Sequence, residues 1–454
     1  MISVSGVRGR ILKNEFTTEL ISLFSSAFAS FVKSGTVVVG KDTRLSGNFI
    51  ESILTGQLLS RGISVHRVGI APTPTIKSIA ALTKANAGVI ISSSHNPMEW
   101  NAFKFLGKGG FFFSAEEMKQ LMDILENSKF QEPKNYEKAK STFDANAYKM
   151  HLNDVKKILD VELIRKRKLK VVLDAVGGAG SLVVKEFLES LGCKVIPLFC
   201  EPSGNFPRPP EPTPSSLSKV SKLTIKEKAD IGFALDPDAD RLVCISPTRG
   251  SVSEEYTVPM FLLSVLSKEK TKSQLKTNSN PNIVVNLSSS FLNEAVALQF
   301  GKKVIRSKVG EANVVETMKK MKAMFGGEGN GGVIDSRVSS FGRDSLVGIG
   351  TILELLARTE KSFDSLLDDL GQVHMLKATT QRGNLDLQDV YDALKNTFPD
   401  HSQNTLDGLR LENSESWIHA RPSNTEPIVR LIVESRNANH SKEILKKAQS
   451  ALRK

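Results

Sequence analysis

Residues 236–241 read DPDADR, placing three carboxylates at alternate positions directly after the apolar run DIGFAL. On an extended or curling loop, Asp236, Asp238 and Asp240 can converge on one cation, and an all-oxygen ligand set suits a hard ion, Mg²⁺ or Ca²⁺. An EF-hand would begin the same way. It needs glycine at its sixth position and glutamate at its twelfth, where this chain has Arg241 and Pro247. Three solvated aspartates in a turn are the plainer alternative, and their place at the end of an apolar strand speaks against it.

Three further loops carry reactive or anion-binding groups. Ser92, Ser93, Ser94, His95, Asn96 and Pro97 form a strand-to-turn junction, since Asn-Pro favours turn initiation. Taken alone, such serines are more often helix caps than nucleophiles. Ser94 and His95 make no triad by adjacency, because neighbouring side chains of an extended backbone point apart. Residues 326–332, GGEGNGG, lack the Lys-Ser/Thr ending of a P-loop, and residues 177–180, GGAG, miss the third glycine of a dinucleotide site. The carboxylate of Glu328 and the amide of Asn330 suit vicinal hydroxyls instead, with a flexible turn as the alternative. Residues 421–427, RPSNTEP, combine the Arg421 guanidinium with Ser423, Asn424 and Thr425, and Arg430 follows; this donor density fits a phosphate dianion. Arg8, Lys41, Arg44 and Lys104 are further basic groups, each more often a surface charge when taken singly.

The elements that must position these loops repeat three times. First strands are expected at residues 37–40 (VVVG), 171–174 (VVLD) and 283–286 (IVVN). After a helical stretch each is followed by a glycine-led second strand, at 62–65, 192–195 and 301–304. Third strands at 88–91, 230–235 and 323–325 then run into SSSHNP, DPDADR and GGEGNGG. Ligands of open α/β sheets bind beyond the carboxyl ends of strands, so three equivalent loops of different chemistry point to one composite site. Residues 383–411 and 416–435 break the pattern and read as an α+β unit carrying RPSNTEP. The expected fold is therefore α/β, with three tandem βαβ-type mixed-sheet domains of similar topology and a C-terminal α+β domain. Boundaries are placed at 1–148, 149–250, 251–369 and 370–454.

With GVRGR near the start, SSSHNP, DPDADR, GGEGNGG and RPSNTEP in this order, the chain resembles the α-D-phosphohexomutase superfamily over nearly its whole length. The resemblance implies a heart-shaped four-domain enzyme that interconverts hexose 1- and 6-phosphates through a phosphoserine and a hexose 1,6-bisphosphate. It implies Ser94 as the phosphoserine, and Mg²⁺ held by Asp236, Asp238, Asp240 and an oxygen of phosphorylated Ser94. Glu328 and Asn330 would bind the sugar, and Arg421, Ser423, Asn424, Thr425 and Arg430 its phosphate. Lys104, Arg8 and Arg241 would lie near the transferring phosphate, with Lys104, and less so His95, as proton carriers. Many members have serine two residues after the sugar-loop glutamate; Asn330 in that place is similar to the archaeal-type branch assigned to phosphoglucosamine mutase. Alternatives are phosphoglucomutase or phosphomannomutase action and, in another class, a Mg²⁺-dependent sugar phosphatase.

The 454-residue chain is too long for one core. Its net charge of +12 indicates an anionic partner, but the excess is spread over all four segments. That spread weakens a nucleic-acid reading, and the cluster RKRKLK at 165–170 is taken as a solvated helix end. A small phosphosugar is the expected partner, with no nucleic acid or membrane, in a monomer or homodimer. Three cysteines without C-x-x-C spacing argue against a disulfide framework or zinc site and for a cytoplasmic setting. The apolar stretch 16–32 is read as a buried helix capped by Thr17 or Thr18, because Glu19 interrupts it.

Overall fold

The computed structural model describes residues 2–3, 6–272, 282–381, 386–422 and 428–452, and it builds four sheets in succession. The first contains β1 (Ile2–Ser3), β2 (Gly6–Arg10), β3 (Thr36–Lys41), β4 (Ser64–Ile70), β5 (Ala87–Ile91), β6 (Trp100–Leu106) and β7 (Ser141–Phe143), ordered β1-β2-β6-β5-β3-β4-β7. β8 (Lys170–Asp174), β9 (Lys194–Leu198), β10 (Ile231–Leu235), β11 (Leu242–Ser246) and β12 (Gly250–Ser251) form the second, ordered β12-β11-β10-β8-β9. In the third, β13 (Asn282–Asn286), β14 (Lys303–Ser307), β15 (Phe325–Glu328) and β16 (Gly332–Asp335) are ordered β14-β13-β15-β16. β17 (His374–Gln381), β18 (Ser402–Asn404), β19 (Leu409–Glu412), β20 (Ser416–Pro422) and β21 (Ile428–Ser435) make an antiparallel fourth sheet, ordered β17-β21-β20-β19-β18.

The threefold repeat is present in the pairing. β3, β8 and β13 each lie parallel to the strands on both sides, and β5, β10 and β15 each turn back into an antiparallel neighbour. Apolar runs suit these central strands because helices cover both faces of a largely parallel sheet. On β8, Val171 and Leu173 face one buried cluster while Val172 faces another.

Two expectations are corrected in detail. The glycines expected to lead the second strands stand in the turns before them: Gly62, Gly192 and Gly301 have φ of 76°, 79° and 65°, and the strands start two residues later. Glycine is favoured there because the chain leaves a helix through the left-handed region. The third strand of the third unit begins at Phe325 and continues to Glu328, so Gly326, Gly327 and Glu328 belong to the strand rather than to a loop. Only residues 329–331 make the turn into β16.

The apolar stretch near the N-terminus forms the helix Thr18–Val32. Thr17 caps it by accepting a 3.2 Å hydrogen bond from the Leu20 amide, and Phe28 stacks on Phe105 of β6 at 5.0 Å between ring centres. The first and fourth sheets have their own cores, whereas one buried cluster runs through the second and third, from Leu173 and Phe233 to Phe325 and Leu353. Among the described residues, no helix is long and apolar enough to cross a membrane, and Cys193, Cys200 and Cys244 are free thiols.

Candidate active site

The site forms where β5, β10 and β15 end. Ser94, in the turn between β5 and β6, has φ 49° and donates a 2.7 Å hydrogen bond from Oγ to Asp236 Oδ2, the first residue after β10. Its turn is held from behind by Arg44, which is 1% exposed, pairs with Asp42 and donates to the Ser94 carbonyl at 2.8 Å and to that of Asn96. Ser92 Oγ donates to Asp42 at 2.6 Å and accepts from the Ser94 amide at 3.0 Å. The left-handed turn also overrides the expectation that adjacent Ser94 and His95 point apart: His95 Nδ1 lies 3.4 Å from Ser94 Oγ. Burial, with Arg241 adding to it, pushes the His95 ring down to about 3, so the imidazole is neutral at physiological pH. Arg8, Ser94, His95 and Lys104 line one pocket.

The acidic loop curls as its spacing allows. Ala239 has φ 52°, and Asp236 Oδ1 accepts from the amides of Asp240 and Arg241, both at 3.2 Å. One carboxylate oxygen from each of Asp236, Asp238 and Asp240 lies within 4.8 Å of the others, and all three side chains are buried. Asp238 Oδ2 accepts from Lys104 Nζ at 2.6 Å and from Thr73 Oγ1 at 2.7 Å. Asp240 Oδ2 accepts from Arg343 at 2.5 Å.

Burial and the two neighbouring carboxylates push Asp236 well above the usual carboxylate range, and burial raises Asp240 too. Burial acts upward on Asp238 as well, but Lys104 and Thr73 outweigh it and pull that group down. For Lys104, burial works against the charge, yet Asp238 and Asp240 prevail and hold the ammonium above its ordinary value. Asp238 Oδ1 and Asp240 Oδ1 are buried without any hydrogen-bond partner. Two orphaned oxygens in a cluster of three buried carboxylates are costly unless a positive charge meets them, so the group is able to hold a metal ion. Arg241 borders the site, 4.0 Å from Asp236 and hydrogen-bonded to Glu211 at 3.0 Å.

Glu328 ends β15 with its carboxylate fixed. Oε1 accepts from Asn286 and from the Gly310 amide, both at 2.8 Å, and Oε2 lies 3.5 Å from Arg343. Asn330 sits in the tight turn beyond it, its Oδ1 buried and unpartnered. On the fourth sheet, Arg421 and Arg430 stand directly opposite each other on β20 and β21. Like charges across a strand pair repel, which marks a place where an anion would be welcome. Arg421 leans 3.2 Å from Asp407, whose Oδ2 also accepts from the Val309 amide at 2.9 Å. Ser423, Asn424 and Thr425 lie outside the described residues.

Thr73, Asn286, Glu311 and Arg343 escape sequence reasoning. None belongs to a motif, and each reaches the site from a different element. Only the adjacency of Arg343 to Asp344, which caps the helix Ser345–Thr359 by accepting from the amides of Leu346 and Val347, hints at a structured junction there.

Four family descriptions match the chain in order. They are "Phosphoglucomutase/phosphomannomutase, alpha/beta/alpha" domains I over residues 2–132, II over 149–250 and III over 260–373, and the C-terminal domain over 379–449. A "Phosphoglucomutase/phosphomannomutase" of Thermococcus kodakarensis is 32% identical over 448 residues, 97% of this chain and 95% of the relative. A "Probable phosphoglucosamine mutase" of Thermococcus gammatolerans is 32% identical over 456 residues, 99% of this chain and 97% of the relative. The crystal structure of a phosphoglucomutase/phosphomannomutase family protein from Burkholderia thailandensis superposes with a TM-score of 0.84 at 25% identity, covering 100% of this chain and 98% of that one. The chain belongs to the phosphoglucomutase/phosphomannomutase family, within the α-D-phosphohexomutase superfamily.

Proposed function

We propose that this enzyme is a phosphohexomutase whose preferred substrate pair is glucosamine 6-phosphate and glucosamine 1-phosphate. The observation that carries the reading is the meeting of three loops at the ends of β5, β10 and β15. Ser94 Oγ is hydrogen-bonded to Asp236, and Asp240 shares Arg343 with Glu328, the last residue of β15. The amino-sugar preference rests on Asn330 in GGEGNGG and on relatives named phosphoglucosamine mutases.

In this reading Ser94 carries the phosphoryl group. Asp236, Asp238 and Asp240, with a phosphoryl oxygen on Ser94, would hold Mg²⁺, which when bound supplies charge neutralisation and polarises the phosphorus. A substrate hydroxyl oxygen forms a bond to phosphorus as the bond from phosphorus to Ser94 Oγ breaks, giving a hexose 1,6-bisphosphate. The hydroxyl proton leaves and a proton returns to Ser94 Oγ. Lys104, charged and 2.6 Å from Asp238, and neutral His95 beside Ser94 are the groups able to carry it. Arg8 and Arg241 offset phosphoryl charge. The bisphosphate then turns around and returns its other phosphate to Ser94. Glu328 and Asn330 hold the sugar hydroxyls in both orientations, while Arg421 and Arg430, with Ser423, Asn424 and Thr425, grip the phosphate that is not reacting. The division at 148, 250 and 369 gives each unit one job: phosphoserine, cation, sugar and phosphate. Free cysteines suit a cytoplasmic location, and a small phosphosugar is the partner.

A coupled assay primed with a hexose 1,6-bisphosphate, run on glucosamine, glucose and mannose phosphates, tests this. Isomerisation fastest on glucosamine phosphate, without inorganic phosphate accumulating, is expected. Faster turnover of glucose or mannose phosphate would replace the proposed sugar, and stoichiometric phosphate release would replace the mutase by a sugar phosphatase.

A further inference from the structure

A buried charged chain, Lys77–Glu311–Arg343, joins the first unit to the third and reaches the second at Asp240; Lys77, Glu311 and Arg343 have no part in the proposed phosphoryl transfer. Lys77 lies on the helix Thr73–Leu82 of the first unit and is 1% exposed. It pairs with Glu311, the first residue of the helix Glu311–Met321 in the third. Glu311 Oε2 in turn accepts from Arg343 Nε at 3.1 Å. The chain passes so closely over this pair that a Cβ on Gly342 would stand 1.8 Å from Lys77 Nζ and 2.1 Å from Glu311 Oε1, so any side chain just before Arg343 would displace the ion pair.

The guanidinium so anchored faces two loops. Nη2 donates to Asp240 Oδ2 at 2.5 Å, and Nε stands 3.5 Å from Glu328 Oε2. Asp240 keeps Oδ1 unpartnered, and Glu328 has Oε1 fixed by Asn286 and Gly310, leaving Oε2 beside Arg343. A planar, always-charged fork held from behind thus hydrogen-bonds one carboxylate and lies in charge contact with the other, an arrangement a flexible ammonium would keep less well. When a cation draws on Asp240 through Oδ1, that carboxylate competes less for Arg343. The guanidinium charge is then freer to attract Glu328 Oε2, 3.5 Å away, on the residue proposed above to hold the sugar. Thermodynamic linkage makes the effect reciprocal.

We infer that Arg343, anchored by Glu311 and Lys77, is a positioning residue that couples the cation loop to the sugar loop, so that filling either site favours filling the other. The inference rests on the mutase reading given above.

The test is calorimetric titration of the full chain with Mg²⁺, in the absence and presence of saturating glucosamine 6-phosphate, and the reverse titration. For the wild-type chain, each ligand should tighten the other by the same factor, roughly 5- to 50-fold, within the usual range of allosteric coupling. Arg343→Met should still bind each ligand alone, yet show a coupling factor of about 1. Arg343→Lys, the gentler change in a buried site, should retain an intermediate factor and guards against misfolding of the methionine variant. Equal coupling in wild type and both variants, or none in a wild type that binds both ligands, would overturn the inference alone. A wild type that binds neither Mg²⁺ nor glucosamine 6-phosphate would overturn the mutase reading, and the inference with it.

Discussion

As the proposed nucleophile, Ser94 would depend on its surroundings for reactivity. A lone serine hydroxyl is a weak nucleophile, and here the left-handed turn aims Oγ at Asp236 while Arg44 clamps the carbonyls of the turn. Replacing Ser94 by Ala should lower mutase turnover by roughly 10⁴-fold or more, the scale of losing a nucleophile. Far-ultraviolet circular dichroism and the melting temperature should stay near wild type, and substantial mutase activity in that variant would remove Ser94 from the mechanism. This residue was legible because SSSHNP and DPDADR are dense local patterns. Arg343 was not: it is one arginine among many in the sequence, and only packing of Glu311, Lys77 and Asp240 around it gives it a role. The same limit hid Thr73, which reaches Asp238 from 165 residues away.

At the scale of elements, the repeat of strand, helix, glycine turn and strand was readable because apolar β-branched runs and glycine each carry a local signal. Where strands begin and end was less so, since the ladder decides it: Glu328 pairs with Gly332 and therefore belongs to β15 rather than to the loop its glycines suggest. The helix Ser345–Thr359 shows how one residue can serve two elements. Asp344 caps it, and Asp344 Oδ2 also accepts from Ser340 and lies 2.8 Å from His151 Nε2, with Thr75 3.0 Å from the other ring nitrogen. Asp344→Ala removes the cap and leaves buried partners unsatisfied, which should cost about 3 kcal/mol. Thermal or urea unfolding checks it; a variant as stable as wild type would show that this junction contributes little.

Over the whole molecule, the +12 charge is distributed, and only a minority of the basic residues lies at the candidate site, where Lys104, Arg241, Arg343 and Arg421 meet carboxylates and Arg8 and Arg430 are proposed to meet phosphate. The fourth unit, with its own core, is fastened to the rest by polar contacts: His419 Nδ1 to Ser288 Oγ at 2.9 Å, Glu434 accepting from the Phe291 amide at 3.0 Å, and Lys377 donating to Glu254 at 2.7 Å. Beneath that seam lies Glu255, which also borders Gly329 of the sugar loop. Burial pushes its carboxyl up to about 8, against the pull of Lys377 and with the push of Glu254 and Glu434. The folded value exceeds the unfolded one, so the native state keeps a proton that the unfolded chain has released. Its stabilising effect is full below the ordinary carboxyl range and is lost as pH rises towards and through 8. Between pH 6 and 8 the wild type should therefore lose about 1 to 2 kcal/mol more stability than Glu255→Gln, as read by urea unfolding at the two pH values. Parallel losses would place the titration elsewhere.

The central claim, that three loops make one phosphoryl-transfer site around Ser94, is tested most directly by mass spectrometry of the protein after incubation with a hexose 1,6-bisphosphate and Mg²⁺. One phosphoryl group on Ser94, removed again on adding excess hexose monophosphate, is the predicted result. An unmodified Ser94 in a chain that still interconverts hexose phosphates would contradict it.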